Sequence, residues 1–134
     1  LKNWQKRLLE KDGQGDLVLA WTNLGSVIEG ALKVYMCVFY SDWLNDVDVP
    51  IKNGNKKTPD GGRLGAVFEE IIQFINKKEL FKKDEIEFIK LVQRQRNLIH
   101  PLKMGTVAGR EAFEDAVIHT AALHHDIELR LPAP

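Results

Sequence analysis

The sequence predicts an all-α fold, a helical bundle of four main helices plus a short N-terminal helix, and three observations carry that prediction. Apolar residues recur three and four apart over four long stretches. No stretch alternates apolar and polar residues as a half-buried strand would, and the links between the later helices are short, which favours antiparallel neighbours. The 134 residues, 44% of them apolar, suit a single domain over 1–134, because domains cluster near roughly 100–150 residues.

Each element has its own local reason. Residues 2–11 place Trp4, Leu8 and Leu9 on one side of a short helix and Lys6, Arg7 and Glu10 on the other, and Gly13 and Gly15 stop it. Asp16 can N-cap a long central helix over 17–45, where Leu17, Trp21, Leu24, Ile28, Leu32, Tyr35, Phe39 and Trp43 follow helical spacing. Val27, Ala31, Val34 and Val38 widen that stripe, as expected of a helix gripped on more than one side. Over 46–63 the periodicity vanishes among prolines, glycines and asparagines, which predicts a long exposed loop. Helical spacing resumes over 64–78 with Leu64, Val67, Phe68, Ile71, Ile72 and Ile75. A further helix runs over 83–100 through Ile86, Ile89, Leu91, Val92 and Leu98, and Pro101 disfavours continuing it past His100. The last helix covers 108–130, with Phe113, Ala116, Val117, Ala121, Leu123 and Ile127, before Pro132 and Pro134.

Composition excludes several classes. Nineteen Lys plus Arg against nineteen Asp plus Glu give no basic excess, so strong non-specific polyanion binding is excluded and any nucleic-acid contact must be local. The single cysteine, Cys37, cannot form an internal disulfide. In its apolar run it reads as a small core residue of a reducing, cytoplasmic compartment. The most apolar stretch, 27–44, carries Glu29, Lys33 and Asp42, short of the ~20 uninterrupted apolar residues of a membrane span. The first residues lack the apolar run of a signal peptide.

Weaker signals have bland explanations beside them. Lys52, Lys56, Lys57 and Arg63 against Asp60 make the 52–63 part of the loop locally basic, a candidate RNA-phosphate contact or simply a solvated loop. Gly54-Asn55-Lys56-Lys57-Thr58 is not a P-loop, since the upstream glycine and the Gly-Lys dipeptide are missing. His119, His124 and His125 lack the four-residue spacing of zinc helices, so no metal and no cofactor are expected. Trp21 and Trp43 fall on the apolar stripe and, with Trp4, read as core or interface rather than base-stacking residues.

The most informative segment is Arg94-Gln95-Arg96-Asn97-Leu98-Ile99-His100-Pro101. Two arginines, an amide and an imidazole crowd one helix end, where guanidinium forks can hold a phosphate and the imidazole can move protons. The carboxyl end of the helix dipole favours the charged imidazole. The alternative is structural: Arg94 and Arg96 pair with Glu85, Glu87 or another helix, and His100 caps carbonyls before Pro101.

This segment resembles the signature of the HEPN superfamily (higher eukaryotes and prokaryotes nucleotide-binding domains). There an Arg, usually followed by a polar residue such as Asn, precedes a His by four to six intervening residues near a helix end. Arg94 stands five residues before His100, and Arg96-Asn97 supplies the polar follower with three intervening residues. The order of helices is also similar over most of the chain. The resemblance implies a metal-independent endoribonuclease acting as a homodimer in a microbial stress or defence setting. His100 would be general acid or base, Arg94 or Arg96 the phosphate contact and Asn97 an orienting residue. It also allows an antitoxin or nucleotidyltransferase partner. The alternative it leaves open is a catalytically inactive helical module that binds RNA or a protein.

Overall fold

The computed structural model describes residues 14–98 and 108–134, and over these the chain is mostly helical. Helix α1 (Gln14–Val38) is the central element. Its residues Leu17, Trp21, Leu24, Ile28, Leu32 and Tyr35 are buried at successive turns, so one stripe of the helix forms the spine of the core. Helix α2 (Tyr40–Asn45) follows after a break at Phe39, then strands β1 (Ile51–Lys52) and β2 (Asn55–Lys56), then α3 (Phe68–Lys77), α4 (Lys83–Asn97) and α5 (Arg110–Arg130). The short helix predicted over 2–11, with Trp4, lies outside the described residues.

Contacts between named residues set the helix directions. Tyr35 meets Phe81 with ring centroids 5.7 Å apart, while the far end of α4 reaches α1 through the Arg96–Glu29 ion pair. These two helices are therefore antiparallel. Trp21 packs edge-on against Phe113 at 5.4 Å, and its indole N–H donates to the Ala108 carbonyl at 3.0 Å. Hence α5 runs parallel to α1 and antiparallel to α4. Helix α3 packs mainly on α4 and supplies Phe68, Ile71, Ile72, Phe74 and Ile75 to the same core. Over Gly15–Val38, α1 is long and apolar enough to cross a membrane by length and composition. In the bundle its buried stripe faces α4 and α5.

Several boundaries differ from the sequence expectation, each for a local reason. The helix predicted over 17–45 breaks because Phe39 leaves helical geometry (φ −101°, ψ 38°). The break turns Trp43 inward against Phe74, at 4.7 Å between rings. The exposed loop predicted over 46–63 contains a small antiparallel hairpin, with Ile51 opposite Lys56 and Lys52 opposite Asn55. Asn53 (φ 52°) and Gly54 (φ 78°) provide the left-handed turn, the arrangement that Asn-Gly favours. Val49 and Pro59 in this segment are buried.

The hairpin is tied to the bundle at both ends. Trp43 donates its indole N–H to the Lys57 carbonyl at 2.8 Å, and Lys78 bridges Asp46 and Asp48 at 2.8 and 2.6 Å. Helix α3 begins at Phe68 rather than 64 because residues 64–66 pair with Thr58, whose carbonyl accepts the Ala66 N–H at 2.7 Å. Glu70 then accepts the Val67 N–H at 3.0 Å, satisfying one of the unpaired donors at that helix start. Helix α4 ends at Asn97, and residues 99–100 of the predicted 83–100 helix lie outside the described residues. Extended backbone at Gly109 delays α5 to Arg110. Cys37 is exposed on α1 rather than a core residue, because it falls on the helix face with Val34 and Val38, away from the buried stripe.

Candidate functional site

Helix geometry separates the two arginines that the sequence placed together. Two residues apart on α4 means about 200° of rotation, so Arg94 and Arg96 leave the helix in nearly opposite directions. Arg96 follows Ile89 and Val92 toward α1. Its guanidinium Nη1 donates to Glu29 Oε2, and its Cζ stands 5.6 Å from the Phe68 ring centroid. Lys33, one turn along α1, contacts the other Glu29 oxygen at 2.9 Å. Burial pushes the Glu29 carboxyl up, but the hydrogen bonds from Lys33 and Arg96 outweigh it and hold the group below its ordinary value.

Around this pair lies a groove of about 460 Å³, lined by Glu29, Lys33, Arg96 and Asn97 and by the backbone of Gly61, Gly62 and Gly65. Gln93 on the same side donates to Glu69 at the start of α3. Asn97, the last residue of α4, is exposed at the rim. The arrangement offers cationic and amide donors above a glycine-rich strip of backbone. However, Glu29 already occupies one guanidinium nitrogen and the Lys33 ammonium, so a phosphate entering here would have to compete with a carboxylate.

Arg94 is exposed on the opposite side, at one end of a groove of about 620 Å³ between α4 and α5. Among the described residues it forms no ion pair, in contrast to Arg96. His119 lines the same groove; its ring stacks on Phe88 at 5.3 Å, and its Nδ1 donates to the Asp115 carbonyl at 2.8 Å. Between the grooves, Gln95 accepts the Ala108 N–H at 2.7 Å, so the chain that leaves α4 at Leu98 returns beside the same helix end. His100 belongs to the 99–107 link and lies outside the described residues.

The four loop cations do not form one patch. Lys52 and Arg63 are exposed. Lys56 donates to the Leu44 carbonyl and, at 3.1 Å, to the Asp46 carbonyl, capping the end of α2. Lys57 pairs with Glu70 at 2.6 Å. There burial raises the Glu70 carboxyl, and the bonds from Lys57 and the Val67 N–H bring it below its ordinary value. Two of the four thus hold the loop to the bundle.

Glu29, and Gly25, whose missing side chain leaves room for the Arg96 stem, are the partners that sequence reasoning missed. Their signal was present as a carboxylate and a glycine beside the apolar stripe of α1, and Glu29 with Lys33 as an i,i+4 pair. Of the partners expected for the arginines, another helix is what Arg96 meets, through Glu29 on α1, whereas Glu85 and Glu87 do other things. Glu85 accepts the Lys82 N–H at 3.2 Å, and Glu87 lies 3.9 Å from Lys90. Among the described residues, no group of three or more His, Cys, Asp or Glu side chains is arranged to hold a metal. Comparison of the chain with protein families, with curated proteins and with solved structures found no match.

Proposed function

We propose that the chain is a HEPN-like domain that cleaves RNA without a metal, with Arg94 as the phosphate contact and His100 as the proton-transfer group. The observation that carries this choice is the separation of the arginines: Arg96 is committed to Glu29 inside the chain, whereas Arg94 is exposed at the same helix end. Arg94 is also the arginine with five residues before His100. In this reading Arg96, Glu29 and Lys33 hold the end of α4 against α1, and Asn97 orients the site.

The reaction is transesterification. His100 takes the 2′-hydroxyl proton, the 2′-oxygen bonds to phosphorus, the bond to the 5′-oxygen breaks, and a second acid protonates the leaving oxygen. The products are a 2′,3′-cyclic phosphate and a 5′-hydroxyl. One chain has one such histidine, so the second acid comes from the partner in a two-fold homodimer, the commonest closed assembly. A guanidinium near the phosphorane offsets its developing charge. A setting in microbial stress or defence, cytoplasmic and with an antitoxin or nucleotidyltransferase partner, belongs to the same reading.

A second reading is a catalytically inactive module that binds RNA or a protein. The observation in its favour is the carboxylates of Glu87 and Asp115 in the groove beside Arg94. The purified chain is incubated with RNA in a chelator, and the ends produced are identified. Cyclic phosphate formed by the wild type and lost in His100→Ala supports the enzyme. RNA left intact by both overturns it in favour of the inactive module.

A further inference from the structure

The groove between α4 and α5 carries an aromatic pair. His119 of α5 lies against Phe88 of α4 with ring centroids 5.3 Å apart and planes 26° from parallel, and the His119 Nδ1–H donates to the Asp115 carbonyl at 2.8 Å. Stacking and hydrogen bond together hold the imidazole in one orientation, yet His119 is exposed. Leu91, 38% exposed although it sits on a core helix, continues an apolar floor toward Arg94 at one end. Phe88 and Arg94 are six residues apart on α4, or ~9 Å along its axis. The volume of about 620 Å³ falls within the roughly 300–1,000 Å³ of small-molecule sites.

We propose that this groove receives the nucleobase next to the phosphate held by Arg94, and that it selects guanine. An aromatic ring that is fixed in place and open on one side is what an unpaired RNA base stacks on. Phe88 covers one face of the His119 imidazole, and the base takes the other, above the floor made by Leu91. The extended Arg94 side chain and one ribose phosphate together cover the ~9 Å of helix between the ring pair and the arginine.

The carboxylates of the groove set the choice of base. Glu87 and Asp115 repel a phosphate, which keeps the charge of the strand at the Arg94 end, whereas an uncharged base can donate to them. Because α5 runs antiparallel to α4, Asp115, one turn before His119, lies on the Arg94 side of the ring pair. His119 bonds to the Asp115 carbonyl, which leaves the carboxylate to the base, while Glu87 lies 3.9 Å from Lys90. Guanine presents its N1–H and a 2-amino N–H side by side, matching the two oxygens of one carboxylate. Adenine, cytosine and uracil place an acceptor beside each donor, so one carboxylate oxygen would face a lone pair.

This site rests on the reading of Arg94 as the phosphate contact, so it is tested with nucleotides that cannot be cleaved. The full chain is titrated with guanosine, adenosine, cytidine and uridine 3′-monophosphates, and binding is read from the NMR signals of the His119 ring and the Leu91 methyl groups. The guanosine nucleotide is expected to bind at least about tenfold more tightly than the others and to shift both sets of signals. Asp115→Asn should abolish that preference, His119→Ala should weaken all four nucleotides about fivefold or more, and Arg94→Ala should weaken all four without changing their order. Circular dichroism checks that each variant is folded. Equal affinities for the four nucleotides, no binding of any, a guanine preference that survives Asp115→Asn, or shifts that bypass His119 and Leu91 would overturn the site. A guanine preference that depends on Asp115, in a chain that leaves RNA intact, would support the site and remove only the cleavage reading.

Discussion

The stem of Arg96 fills the space left by the missing side chain of Gly25: a methyl group built at Gly25 would stand 2.7 Å from Arg96 Cδ and 3.2 Å from its Cβ. Glycine in a helix interior ordinarily costs about 0.5–1 kcal/mol relative to alanine. Here that cost lets α4 approach α1 closely enough for the guanidinium to reach Glu29 one turn further on. The substitution Gly25→Ala is accordingly expected to lower stability by about 1 kcal/mol, since the crowding exceeds the gain in helix propensity. In an Arg96→Ala background, which removes the 2.7 Å contact with Cδ and keeps the 3.2 Å one with Cβ, the same change is expected to be less costly, by about 1 kcal/mol, and so close to neutral. Urea unfolding of the four proteins of this cycle measures the coupling; additive effects would show that the two residues do not share this space.

Acid should weaken the same junction. The folded-state carboxyl of Glu29 lies below its ordinary value of 4.5, so its contribution is fully present above the unfolded value and is lost as pH falls through the folded one. Side-chain exposure of 30% for Arg96 and 15% for Glu29 makes this a partly screened pair. Glu29→Gln is expected to cost about 1–2 kcal/mol at pH 7 and to flatten the stability–pH curve below about pH 4.5. Thermal melts at pH 3, 5 and 7 distinguish this from a pH-independent packing loss.

Glu85 predicts the opposite slope. Burial is the main influence raising its carboxyl above 4.5, and the Asp126 carboxyl beside it adds to the rise. A raised group contributes stability below its unfolded value that is lost as pH rises through the folded one. Glu85→Gln keeps an acceptor for the Lys82 N–H and removes the repulsion. It is expected to raise stability at pH 7 by no more than about 1 kcal/mol and to leave stability at pH 3 nearly unchanged. Melting temperatures at these two pH values check the sign.

The loop offers a backbone test. A methyl group at Gly65 would lie 2.4 Å from the Asp60 carbonyl oxygen and 2.8 Å from that of Gly62, and neither can rotate away as a side chain can. Gly65→Ala is expected to cost about 2–3 kcal/mol and to release Lys57 from Glu70. Hydrogen exchange at Ala66, whose N–H is bonded to the Thr58 carbonyl, would speed up if the loop opens as expected.

The helices were legible because burial repeats at their period: Trp21, Ile28, Leu32 and Tyr35 mark one face of α1 in the sequence and are buried in the fold. The break at Phe39 was not, since Phe39 and Trp43 also keep helical spacing, and the turn follows from Trp43's contacts with Phe74 and the Lys57 carbonyl. The hairpin had a readable signal in Asn53-Gly54, but its two-residue strands are too short to show alternation. At the candidate site the cluster itself was visible and its division was not. Helical rotation sends Arg94 and Arg96 apart, yet that Arg96 should meet Glu29, 67 positions away in sequence, depends on the glycine-permitted approach of two helices.

The division of labour between the arginines is tested most directly by RNA cleavage rates of Arg94→Ala and Arg96→Ala beside the wild type, under conditions where all three are folded. Wild type is expected to release 2′,3′-cyclic phosphate and Arg94→Ala to lose about a hundredfold or more in rate, as for loss of a donor to a developing oxyanion. Arg96→Ala should lose stability but retain cleavage within about tenfold. Cleavage that survives Arg94→Ala and disappears with Arg96→Ala would contradict it.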